Sequence, residues 1–77
     1  MLQGILLFPS VHYVLQAEKV IKQKGFSIKV IPVPRHLSSD CGVCIQFPWE
    51  EREKIMGFLE EAGVTVEGIH SLSNQSG

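Results

Sequence analysis

The sequence predicts an α+β domain of ferredoxin-like plan: a βαββαβ sandwich whose four-stranded antiparallel sheet carries two helices on one face. Three observations predict it. Periodicity signals run in the order strand, helix, strand, strand, helix, strand. The halves echo each other, Glu18-Lys19-Val20-Ile21 with Gly25-Phe26-Ser27-Ile28 answering to Glu53-Lys54-Ile55-Met56 with Gly63-Val64-Thr65-Val66. Seventy-seven residues leave room for one small domain, set here at 1–72, with 73–77 as a flexible polar tail.

Each element has a local reason. Residues 5–8 are an unbroken apolar run stopped by Pro9, which suits a central strand buried on both faces. Ser10 is a good N-cap, and residues 11–24 contain no Gly or Pro and close at Gly25. Val11, Val14, Ala17 and Ile21 give that helix one apolar face, while Lys19, Lys22, Gln23 and Lys24 cover the outside and place cations at the negative end of the dipole. Residues 26–31 are rich in β-branched side chains and read as the second strand. Residues 43–47 read as the third, with Val43, Ile45 and Phe47 on one face and Cys44 and Gln46 on the other. After Pro48 an acid-rich turn opens a second helix, buried through Ile55, Phe58, Leu59 and Ala62 and ended by Gly63. Gly57 inside it is a mild cost or a close-packing point. Residues 64–69 read as a short last strand.

Composition excludes several classes of function. Seven Lys plus Arg against eight Asp plus Glu give a net charge of -1, so there is no global field for nucleic acid or anionic lipid. The opening apolar run lacks a charged start and is short for a signal sequence or a membrane span. The expectation is a cytoplasmic protein with reduced thiols.

Between the second and third strands lies Pro32-Val33-Pro34-Arg35-His36-Leu37-Ser38-Ser39-Asp40-Cys41-Gly42. Its prolines fix backbone angles, and its Ser, Asp and Gly favour turns. The predicted topology brings the end of the first strand, the start of the first helix and the start of the third strand to one edge. Pro9, Ser10 and His12 are therefore expected near Arg35, Ser38, Ser39 and Cys41. The thiolate is the reactive form of cysteine, and a helix N-terminus or a cation favours it. The first-turn N–H groups, Arg35 and His12 are the available stabilisers, and Gly42 leaves room beside the sulfur. The plain alternative is that Cys41 is a small buried hydrophobe, His12 a surface residue, and Arg35 a partner for loop carbonyls or Asp40.

Cys41 and Cys44 have thioredoxin-like spacing, but that motif works at a strand-to-helix junction and this one enters a strand. Residues three apart on a strand point to opposite faces roughly 10 Å apart, too far for a disulfide. Cys44 is read as packing. Cys41, Cys44, His36 and His12 match no zinc spacing, and neither a metal nor a cofactor is expected.

The runs Phe8-Pro9-Ser10-Val11-His12 and Ile31-Pro32-Val33-Pro34-Arg35-His36-Leu37-Ser38-Ser39-Asp40-Cys41-Gly42, with Glu18-Lys19 in the intervening helix, resemble a small bacterial family of selenium/sulfur carrier-like domains. The likeness extends from Leu2 to Ile69 and centres on Pro-x-Pro-Arg-x-x-Ser-Ser-x-Cys-Gly. It implies that Cys41 is the carrier thiol, with Arg35, Ser10 and His12 as supporting positions. Cys44 stands where the family has an apolar residue, and His36 where an acid is common.

Two functions follow. In the first, Cys41 accepts sulfane sulfur or selenium from a donor of the cysteine desulfurase or selenocysteine lyase type, holds it, and passes it to an acceptor protein. Arg35 steadies the anion or the incoming partner, while Ser10, Ser38 and Ser39 hold the loop or donate to sulfur. In the second, the edge is a binding or regulatory module for an anion or a peptide, and Cys41 is structural. No stand-alone enzyme is expected, since there is no metal motif, phosphate loop or carboxylate pair. The sheet face opposite the helices could pair two copies, with Leu6 or Phe8, Ile28 or Ile31, Cys44 and Gln46 as candidates.

Overall fold

The apolar run near the N-terminus does become a central strand. The structure, a computed structural model, describes residues 2–37 and 41–72. Its elements are β1 (Gln3–Leu7), α1 (Val11–Gln23), β2 (Lys29–Pro32), β3 (Val43–Pro48), a 3₁₀ turn (Trp49–Glu51), α2 (Arg52–Glu61) and β4 (Gly68–Leu72). The strands form one sheet in the order β2-β3-β1-β4, and each neighbouring pair is antiparallel. The fold is therefore α+β, with a four-stranded antiparallel sheet and two helices. The tail expected at 73–77 lies outside the described residues.

β1 is paired on both edges and covered on both faces, so Gly4, Ile5, Leu6 and Leu7 are buried whichever way they point. Leu6 and Phe8 join Ile45 and Phe47 of β3, Val14, Ala17 and Ile21 of α1, and Ile55 and Leu59 of α2 in one core. Ile5 and Leu7 form a second, smaller cluster with Cys44, covered by Ile31, Val33, Leu37 and Leu72. The alternation expected on β3 is observed. The pairing candidates divide differently from expectation: Leu6, Phe8 and Ile28 belong with the helices, and only Ile31 and Cys44 with the second cluster.

Two strands start later than the β-branched pattern predicts, and helix capping is the reason. Gly25 and Gly63 have positive φ, 89° and 74°. Gly25 N–H donates to Lys22 and Phe26 N–H to Ile21, while Gly63 N–H donates to Glu60 and Val64 N–H to Leu59. This is the Schellman arrangement, in which the residue after the glycine turns back onto the helix it ends. Phe26 and Val64 are thus helix-capping hydrophobes rather than strand starts. β2 begins at Lys29 and β4 at Gly68, where Leu7 pairs with it.

The far end of the sheet is closed by Trp49. Its N–H donates to Leu2 carbonyl at 3.2 Å, its ring lies 6.1 Å from that of Phe47, and the Arg52 guanidinium stacks 4.9 Å above it. Gly4 is what lets the two rings come so close to β1. A Cβ there would meet Phe47 and stand 2.7 Å from Trp49 Cε3. Gly57, by contrast, has open space around its missing Cβ and is not a packing point.

The two glycines therefore respond oppositely to the same change. Gly4→Ala should lower stability by about 1–3 kcal/mol through overpacking. Gly57→Ala should raise it by about 0.5–1 kcal/mol through helix propensity. Urea unfolding midpoints of the two variants check both signs.

Candidate functional site

Register fixes which segments share the edge. The β1–β3 pairing sets Gln3 opposite Pro48 and Leu6 opposite Ile45, so the C-terminal end of β1 lies beside the start of β3. Pro32 pairs with Val43, which brings the end of β2 to the same place, and Gly68 pairs with Leu7. α1 begins at Val11, four residues after β1 ends. The start of α1, the end of β2 and the start of β3 therefore meet at one end of the sheet.

The proline-rich segment connects the two faces there. Val33 N–H donates to Gly42 carbonyl at 3.2 Å, carrying the hairpin one residue beyond β2. Leu37 N–H donates to Pro34 carbonyl at 2.9 Å, closing a turn with Arg35 and His36 at its tip. Val33 and Leu37 pack onto Ile5, Leu7 and Cys44, which leaves Arg35 and His36 exposed. These two anchors were missed in the sequence, where an apolar residue between turn formers carries no periodicity; their spacing on either side of a turn was the available signal. Ser38, Ser39 and Asp40 lie outside the described residues.

Cys41 comes out of this segment on the other face. It is partly buried against the helix-side core, and its thiol donates to the Val43 carbonyl. A carbonyl suits the neutral thiol, so attack as thiolate requires giving up that bond. Gly42 has φ 74° and nothing within 4 Å of its missing Cβ. It supplies the left-handed turn into β3, and the space beside it is open.

The other candidates sit at the same end without being drawn into one cluster of side chains. Ser10 caps α1 through its carbonyl, which accepts from Tyr13 and Val14, while its side chain makes no cap hydrogen bond. No acidic residue occupies the first turn of α1. His12 is exposed and meets the Tyr13 ring edge-on at 5.8 Å.

The two thiols differ in burial. Cys44 is fully buried, and its Sγ points to the Pro32 carbonyl at 3.8 Å. Burial pushes its pKa from 9.0 up to about 11, and the nearby charge of Cys41 adds to the rise. No disulfide joins the two cysteines. Among the described residues no three His, Cys, Asp or Glu side chains converge as a metal site, and no helix is long and apolar enough to cross a membrane.

Fold and site together define a small α+β domain with one partly buried cysteine at the end of the sheet, just before β3, and one fully buried within β3. The family described as "Putative Se/S carrier protein-like" matches residues 3–71, and the chain belongs to it. No curated protein and no solved structure matches the chain.

The raised Cys44 pKa makes stability depend on pH in a defined direction. The folded state holds this proton more tightly than the unfolded state does. Its contribution is therefore complete below about pH 9 and is lost as pH rises toward about 11, amounting to about 2–3 kcal/mol. Urea unfolding at pH 8 and pH 11 should show a larger loss for the native chain than for Cys44→Ala.

Proposed function

We propose that the protein is a sulfur or selenium carrier in which Cys41 is the carrying thiol. The observation that carries this reading is the contrast between the chain's two cysteines, with Cys41 partly exposed just before β3 and Cys44 sealed in the core. Membership of the carrier family supports it. The strand order and the antiparallel pairings support a ferredoxin-like plan with both helices on one face, a plan in which Cys41 would lie near the start of α1.

The transfer needs no external oxidant. Cys41 thiolate attacks the terminal sulfur of a donor persulfide, a new S–S bond forms on Cys41, and the donor's S–S bond breaks with its electron pair leaving on the donor thiolate. Onward transfer repeats the exchange with an acceptor thiol. A selenium cargo follows the same course as a selenosulfide. A persulfide anion on Cys41 would gain from the unblocked first turn of α1 and from Arg35 across the edge, with Ser10, His12, Ser38 and Ser39 as further donors. Gly42 keeps the approach to sulfur clear. Donors of the desulfurase or selenocysteine lyase type and an acceptor protein are the partners implied, in the cytoplasm.

A second reading has one observation in its favour: Cys41 packs on the core and its thiol already has a carbonyl partner, as a structural cysteine would. Intact-mass spectrometry after incubation with a cysteine desulfurase and cysteine separates the two. A carrier gains the mass of one sulfur atom, reversed by dithiothreitol and absent in Cys41→Ser. Equal labelling of both proteins, or none of either, favours the structural reading.

A further inference from the structure

The net charge of -1 conceals a separation along the chain. Residues 1–48 hold five Lys and Arg against two Asp and Glu, whereas residues 49–77 hold two against six. In the fold this becomes a difference between the helices. α1 has one acid, Glu18, ion-paired to Lys22 at 3.0 Å, while Lys19 and Lys24 are also exposed. α2 and its flanks expose Glu50, Glu53, Glu60, Glu61 and Glu67.

The basic helix also carries apolar surface that the core does not use. Val11 and Leu15 are 52% and 58% exposed, although both are large hydrophobes. With Lys19 and Lys22 they follow spacings of four, four and three, which places all four on one outward stripe. The apolar end of the stripe is the start of α1, at the end of the sheet where β3 begins and Cys41 stands. From Val11 to Lys22 is about 16 Å along the helix, well within the footprint of one ordinary protein contact.

We propose that the Val11-Leu15-Lys19-Lys22 stripe is the docking surface for the protein that delivers sulfur to Cys41, a partner whose apolar patch is rimmed by acidic side chains. This rests on the carrier reading, because a donor's sulfur must come within bonding distance of Cys41 and so must cover the adjoining surface. Charge selects the partner. An acidic rim is attracted to α1 and repelled from α2, which sets the docking orientation as well as its rate. Two exposed apolar side chains are too few to hold the helix on a bilayer. A two-fold pairing of stripes would set like-charged lysines into one contact.

The test measures Cys41 loading in the full chain from two donors: a purified cysteine desulfurase, which must dock, and glutathione persulfide, which need not. Leu15→Glu and Lys19→Glu should each slow loading from the desulfurase by about tenfold or more, with the difference shrinking as salt is raised, and Glu61→Lys should not slow it. Loading from glutathione persulfide should be the same in all four proteins, which also shows that the thiol and fold are intact. Unchanged desulfurase kinetics in both stripe variants overturns the docking surface and leaves the carrier reading standing. A native chain that loads from neither donor removes the carrier reading itself. Self-association abolished by Leu15→Glu in light scattering, or anionic-vesicle binding abolished by Lys19→Glu, would assign the stripe to another occupant and overturn the proposal.

Discussion

The placement of β1 between β3 and β4 is the constraint from which most of the molecule follows. A strand paired on both edges has no side-chain direction that reaches solvent unless one face of the sheet is left bare. Here neither face is bare at β1. The helices cover Leu6 and Phe8, and the opposite side needs a cover of its own for Ile5 and Leu7. Among the described residues there is no third layer of regular structure to supply it. The segment after β2 serves instead, folding Val33 and Leu37 back over the sheet.

That cover is what separates the two thiols. Cys44 follows Val43 on β3 and therefore faces the side that Val33 and Leu37 close, so its sulfur is dry and its proton is held. Cys41 precedes the strand across Gly42, whose φ lies in the left-handed region, and packs on the helix side with Val43. The two cysteines that flank Gly42 and Val43 thus differ in burial, Cys44 fully buried and Cys41 partly. For Cys44 it is burial first, and the nearby Cys41 second, that holds the proton.

Much of this was legible in the residues. The run at 5–8 suited a strand buried on both faces better than a surface strand, and alternation assigned Val43, Ile45 and Phe47 correctly to one face. The glycines at 25 and 63 marked both helix ends. What misled was Phe26 and Val64: β-branched or aromatic residues after a glycine look like strand starts, but the Schellman geometry claims them for the helix, and only the hydrogen bonds of the helix end decide between the two. The loop's second role was hidden for a similar reason, since the value of Val33 and Leu37 depends on a sheet face that no local pattern reveals. For the site, the register sets the end of β1 beside the start of β3, as the predicted topology has it. Arg35 and His12 share that end but stand exposed at a turn tip and on a helix surface.

The central claim is the division between a reachable and a sealed thiol, and it is tested most directly by counting thiols with Ellman's reagent in the native and unfolded protein. The account predicts one equivalent reacting in native buffer, lost in Cys41→Ser, and a second appearing only on unfolding. Two equivalents reacting in the native state, or one that survives Cys41→Ser and vanishes in Cys44→Ala, would contradict it.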